Sequence, residues 1–347
     1  MPLKQFGREL LVIDVLAPSD TVRSSGARHE NAPHLSEVYP PGAPQLRQAS
    51  HRDVLRIFSV VAAVVTLLLL GGVVVFLAIE GAPALAGTSE NLPAGASSIW
   101  ALAGPLLFGS LWASALAIAV AAPLGIGVAL FSVLVMRGAL GRWLGTAIDV
   151  LAAVPSVVYG LWGLMVVAPQ TVRIYNWLAT HLGWIPFFAG QPSTTGRTIC
   201  TAALVLAIMI LPIVSSVSRE AIRLVPSSSI EGAQALGATR QEMIRRVVLP
   251  EARSGIMAGI MLALGRALGE TMAVAMVLSA TPFLVSFRLL SSQNPGTVAA
   301  YIAQNYPEAH GLEVNALVWL GLLLFAVTFV VSFFARLVVR RSSGGSR

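Results

Sequence analysis

Arg266 and Glu270 stand four residues apart inside an otherwise apolar run from Ile256 to Leu278. On an α-helix this spacing puts both side chains on one face, where they can pair. Arg266 is the eleventh residue of the run. At about 1.5 Å per residue it lies roughly 15 Å deep, near the middle of a roughly 30 Å hydrocarbon layer. An arginine there costs on the order of 3 kcal/mol even on the lenient insertion scale, so it must face protein or a water-filled path. Two roles fit. One is a buried ion pair that fixes helix packing. The other is a path for an anion, because a planar guanidinium grips phosphate or carboxylate oxygens bidentately. Glu270 would then restrain the arginine, accept a hydrogen bond from a protonated oxyanion and repel a fully deprotonated one. Gly259 and Gly255 lie on nearly the same face and leave room for a second helix.

A second constellation lies just before this run, in residues 219–254. Ser228-Ser229-Ile230-Glu231 fits a capping box at a helix start, and Gly237 is a natural stop for that helix. Thr239-Arg240-Gln241-Glu242 is another capping box, opening a helix that Pro250 is expected to end. Two short helices joined at Gly237 make a compact projection. It is either a plain helical hairpin between two spans or a docking element.

The elements that must hold these residues are apolar. Of 347 residues 56% are hydrophobic and only 11% charged, against about 25% charged in soluble domains. Runs near 20 residues predict an all-α polytopic membrane protein with six spans, at about 57–79, 106–135, 148–168, 199–217, 256–278 and 316–335. Gly and Pro inside the runs are tolerated where packed neighbours satisfy the freed backbone groups. The membrane-embedded body is expected over 51–341. Residues 1–50, with six prolines and mixed charges, read as a mostly disordered tail, and 342–347 as a short one. Ala84-Leu85-Ala86 resembles a cleavage site, yet 56 residues precede the apolar run and the run is too long for a signal peptide. An uncleaved first helix follows.

The charge of +7 is explained by topology rather than by nucleic acid. With the N-terminus inside, the cytoplasmic pieces hold 19 basic residues and the outer loops three, Arg173, Arg197 and Arg288. Both termini are therefore expected in the cytoplasm. Cys200 is the single cysteine, so no internal disulfide and no cysteine-rich metal site is expected. The five histidines fall outside the apolar runs, which weakens an intramembrane hydrolase. Lys4 is the only lysine and precedes every glycine-rich stretch. A Walker A loop needs a lysine on the β/γ-phosphates, so any ATP is hydrolysed on another polypeptide.

Glu231-Gly232-Ala233, three residues, Gly237, nine residues, then Val247-Val248-Leu249-Pro250 resembles the EAA loop of ABC-importer permeases. Gly232 stands for an alanine and Val247 for an isoleucine, both mild departures. The resemblance implies a type I ABC-importer permease fold. Its coupling helix lies within 219–254 and carries Glu231, Gly232, Ala233, Gly237, Leu249 and Pro250 toward a nucleotide-binding subunit. Three further segments look like the C-type permease of the phosphate-specific transport (Pst) system: Gly265-Arg266-Ala267-Leu268-Gly269-Glu270-Thr271-Met272-Ala273-Val274, residues 154–161 (Val154 to Leu161) and residues 123–131 (Pro123 to Phe131). The A-type sister has a related Arg-Ala-x-Gly-Glu-Thr segment without the following Met-Ala-Val. Asp149 departs from the glutamate expected before the third span, with the charge kept.

That resemblance covers about residues 55–340. It implies an importer of inorganic phosphate in the bacterial plasma (inner) membrane. Its other parts are an A-type sister permease, two copies of a P-loop ATPase carrying ATP and magnesium, and an extracytoplasmic phosphate-binding protein. Arg266 and Glu270 would carry phosphate passage. Ser156 and Tyr159 either line the same path or make ordinary hydrogen bonds within the bundle. Two rivals stand beside this reading. The same architecture serves another oxyanion or small solute, against which only the motifs of spans three and five argue. An ion-coupled secondary transporter needs no ATPase and leaves the Glu231 to Pro250 pattern without a purpose.

Overall fold

The computed structural model describes residues 49–136 and 139–343. The expected tails, 1–50 and 342–347, lie outside the described residues except for 49–50 and 342–343, which are helical. Helix α1 (Ala49–Gly81) runs through Val65, where the chain divides into two units; the described part of the first unit is helix throughout. Everything that follows belongs to the second unit. There α1 leaves Leu67, Leu68 and Phe76 exposed, as befits a helix surrounded by lipid or by another subunit.

Helix α2 (Ile99–Leu130) begins seven residues before the expected boundary at 106. The stretch before it carries no charge to mark an edge. The cap marks it instead: the Ser98 hydroxyl accepts the Ala101 N–H at 3.2 Å. A π turn over Phe131–Val135 continues the helix.

The third span departs from expectation. The apolar run 148–168 straddles two helices, α3 (Ala139–Ala152) and α4 (Ser156–Trp162). Pro155 separates them, because it fixes its own φ and drives the residue before it out of the helical region. After a π turn over Gly163–Val167 the span continues as α5 (Ala168–Leu182). The crossing helix is thus Ser156–Leu182, and α3 is a separate amphipathic element in front of it.

Helix α6 (Ile199–Arg223) is capped by Thr198 and forms the centre of the bundle. Its Ile199, Leu206, Ile210 and Val214 are fully buried, between α2 and the helix that follows the loop. Small residues allow the close approach. A Cβ on Gly125 would come within 2.9 Å of Val214 Cβ.

The loop after α6 folds as α7 (Ser227–Ala235) and α8 (Arg240–Met243). Gly237 has φ +81° and closes a Schellman turn, with Ala238 N–H donating to Ala233 O at 3.0 Å and Gly237 N–H to Gln234 O at 2.9 Å. The Thr239–Glu242 capping box forms in full. The one expected at Ser228 does not: α7 starts at Ser227 behind Pro226 with no side-chain cap, and the Ser229 hydroxyl donates to Glu251 Oε1 at 3.1 Å.

Pro250 does not end a helix either. A π turn over Ile244–Val248 joins α8 to α9 (Leu249–Leu268), with Leu249 N–H reaching back five residues to Ile244 O. The widened turn admits the proline ring, which in a regular helix clashes with the carbonyl four residues earlier. The same device precedes Pro169, where Ala168 N–H bonds to Gly163 O. Ile222, Val225, Met243, Val248 and Ala252 form a buried cluster with Ala129 of α2, so the loop is a packed body. Gly255 and Gly259 of α9 face Ala221 and Val217 of α6, as their size suits.

Short helix α10 (Met272–Val277) leads to a return in which β1 (Ala280–Thr281) and β2 (Asn294–Pro295) pair in parallel. Buried Asn294 fixes this return to the start of α6. Its Oδ1 accepts the Ile199 N–H at 2.9 Å, and its Nδ2 donates to Arg197 O and Ser279 O. Helices α11 (Val298–Asn305) and α12 (Leu312–Ser343) complete the fold. Among the described residues six helices are long and apolar enough to cross a bilayer.

Candidate functional site

The run 256–278, expected as one span, is broken between its two charged residues. Helix α9 ends at Leu268, where two glycines, Gly265 and Gly269, weaken the helix. Gly269 N–H still bonds to Gly265 O at 3.2 Å, and the chain then turns before α10. Arg266 sits in the last turn of α9, where the negative end of the helix dipole favours a cation. Glu270 sits in the break. Its Oε1 accepts the Ala273 N–H of α10 at 3.2 Å, and the residue is only 7% exposed.

The expected helical pair is therefore not made: Arg266 and Glu270 form no ion pair. The nearest side-chain partner of the exposed guanidinium is Met209 Sδ at 3.9 Å, a weak acceptor. Both residues instead line one groove of about 1020 Å³, whose walls include Ile213, Met261 and Leu262. Ser254 also lines it, about 18 Å before Arg266 along the helix, and so does Arg336 of α12. A mostly apolar groove with a free guanidinium and a carboxylate held in place can orient an oxyanion.

Ser156 and Tyr159 do not line this groove. Ser156 is half-buried in the first turn of α4. The Tyr159 hydroxyl donates to Leu151 O at 2.8 Å, spanning the Pro155 break, and its ring is buried in the central core. Ordinary hydrogen bonding describes Tyr159 as the structure has it.

The loop residues form a second surface. Glu231, Gly232, Gly237 and Pro250 are exposed, whereas Ala233 and Leu249 are half-buried. A cleft of about 730 Å³ opens between α7 and the start of α9, lined by Gly232, Ala233, Pro250 and Glu251 among others. Leu236, beside Gly237, is 90% exposed, an apolar side chain offered outward. At the other side of the loop the Arg240 guanidinium donates to Leu134 O, tying α8 to the end of α2.

Sequence reasoning missed one constellation. Arg219, 6% exposed, pairs with Asp149 of α3 at 2.7 Å, against Gly145. A Cβ on Gly145 would collide with the guanidinium. The available signal was a charged residue two positions past the expected end of span four, together with a Gly-x-x-x-Asp spacing at residues 145–149.

Comparison with known proteins agrees with this architecture. The family described as "Binding-protein-dependent transport system inner membrane component" matches residues 121–344. The "Phosphate transport system permease protein PstC" of Mesorhizobium japonicum is 41% identical over 293 residues, 81% of this chain and 87% of that protein. The protein of the same name from Mycobacterium leprae is 44% identical over 232 residues, 66% of this chain and 71% of that one. A solved structure titled "Crystal structure of a bacterial ABC transporter involved in the import of the acidic polysaccharide alginate" superposes with a TM-score of 0.54 at 19% identity, covering 84% of this chain and 96% of that one, a likeness of fold alone. The fold is that of a type I ABC-importer permease. With six membrane-length helices, a packed loop between the fourth and fifth, and relatives that align with most of its length, the chain belongs to the inner-membrane components of binding-protein-dependent transport systems.

Proposed function

We propose that this chain is the transmembrane permease subunit of an ATP-driven importer of inorganic phosphate. The observation that carries the reading is the groove: an arginine at a helix end without an acidic partner and a carboxylate fixed by a backbone N–H share one wall. The names of relatives 41–44% identical to the chain support phosphate as the substrate. In this reading Arg266 grips the oxyanion bidentately, and Glu270 accepts a hydrogen bond from its protonated oxygen.

A sister permease of the A type closes the open side of the groove. Two P-loop ATPase subunits, which carry ATP and magnesium, dock on the loop through Glu231, Gly232, Ala233, Gly237, Leu249 and Pro250. An extracytoplasmic phosphate-binding protein delivers the substrate. In this reading the loop and both termini lie in the cytoplasm, an orientation that the excess of arginine in the 219–254 loop supports.

Uptake of radiolabelled phosphate is the test, in cells lacking other phosphate importers and expressing the complete system. Uptake should stop on ATP depletion with the ion gradient held constant. Uptake that follows the gradient and ignores ATP overturns the reading. Uptake of sulfate or molybdate in place of phosphate overturns the substrate.

A further inference from the structure

The loop and the groove are joined by a series of short, stiff contacts that run through α3. Arg219 lies in the last turn and a half of α6, and only Leu224, Val225 and Pro226 separate that helix from α7. Val225 and Ile222 are locked in the buried cluster of the loop, so a displacement of α7 is felt at Arg219. The guanidinium lies against Gly145 and holds Asp149 Oδ1 at 2.7 Å. Two residues beyond Asp149, Leu151 O accepts the Tyr159 hydroxyl at 2.8 Å, which fixes α3 to α4 across Pro155.

The next residue, Gly160, meets α10 backbone to backbone. A Cβ there would stand 2.9 Å from Ala273 Cα and 3.4 Å from Met272 O. Ala273 is the residue whose N–H the Glu270 carboxylate accepts. No link in this series depends on a long side chain free to swing. Arg219 is buried, Tyr159 is buried, and Gly160 offers only backbone.

We infer that Asp149, Arg219 and Tyr159 are positioning residues that transmit movement of the loop to the placement of Glu270 in the groove. The inference rests on the proposed role of the loop as the ATPase-facing element. Asp149 makes a sensitive probe, because its side chain is 56% exposed and an asparagine in its place keeps an oxygen to accept from the Arg219 guanidinium while losing the charge. Helix α3 thus serves transport, although it neither crosses the bilayer nor lines the groove.

The experiment uses the complete complex in vesicles and measures ATP hydrolysed per inorganic phosphate taken up. Asp149→Asn and Tyr159→Phe should each raise that ratio about fivefold, within the range of mutations that modulate coupling between distant sites. Asp149→Glu keeps the ion pair and should stay near the wild-type ratio. The double variant D149N/Y159F should be no worse than the poorer single one, since the two contacts lie in series. A purely packing role predicts lower yield of complex with the ratio unchanged, and that result overturns the inference. Additive effects in the double variant overturn the series arrangement. A wild-type complex that takes up no phosphate with ATP refutes the functional reading itself, an outcome separate from either.

Discussion

Glu270 turns its carboxylate to the Ala273 N–H, 3.2 Å away, and not to the guanidinium of Arg266 four residues before it. Helix α9 ends between them, so a spacing that on a continuous helix makes an ion pair here makes two independent groups. The consequence for mutagenesis is direct. Removing Arg266 leaves no buried carboxylate without its partner, because the partner is backbone.

Arg266→Ala should therefore insert and assemble at wild-type levels, checked by blot, while phosphate uptake falls about 10–100-fold, the equivalent of losing a charge-assisted hydrogen bond worth about 1.5–3 kcal/mol. Arg266→Lys should recover part of the activity, since an ammonium lacks the planar fork. The double variant R266A/E270A should assemble and take up phosphate no better than R266A. Recovery of uptake in that double variant would sink the anion path.

Glu270 carries two roles that conservative changes separate. Glu270→Gln keeps an oxygen to accept the Ala273 N–H but removes the charge; Glu270→Ala removes both. Thermal unfolding of the purified complex should leave E270Q near wild type and cost E270A about 1 kcal/mol, the usual net worth of a hydrogen bond. Phosphate uptake should change in both. Equal stability of the two variants would show that the bond to Ala273 contributes nothing.

Gly237 has φ +81°, and apart from its own chain neighbours no atom lies within 4 Å of where its Cβ would stand. Any cost of substitution there is conformational. Gly237→Val should destabilise the turn by about 1–2 kcal/mol and lower transport while the chain still inserts, whereas Gly237→Asn should be tolerated. Normal transport by a G237V complex assembled with its ATPase would remove this turn from the coupling mechanism.

Gly145 offers the opposite case, a glycine required by space. Gly145→Ala puts a methyl group into the Arg219 guanidinium and separates it from Asp149. An uncompensated buried arginine costs about 3–5 kcal/mol, so the yield of assembled complex should drop sharply. Unchanged yield would mean that α3 moves aside without loss.

Six spans were legible because hydropathy reports apolar length, and Arg266 and Glu270 because charge inside such a run is rare. The breaks at Pro155 and Gly269 were not, since a run of apolar residues looks the same whether one helix or two cross it. Local hydrogen-bond chemistry was readable at Thr239, where both halves of the capping box form. At Ser228 it failed because Pro226 starts the helix early and the neighbouring serine binds Glu251 instead. Asp149 stood in the sequence as a spelling difference. Only its approach to Arg219, 70 residues away in the chain, gives it a purpose.

The π turn at Ile244–Val248 carries one residue more than a regular helix needs over the same length. The wide turn absorbs that surplus residue, so α9 presents the face it would present in a regular helix one residue shorter. Deleting one residue between 244 and 248 would restore a regular helix and leave Arg266 lining the groove. A deletion between Leu249 and Arg266, where the helix is regular, has no wide turn to take it up and would turn Arg266 by about 100° onto another face, with every side chain of the site still present in the chain. The stretch 244–248 is thus the place where this helix tolerates a change of length.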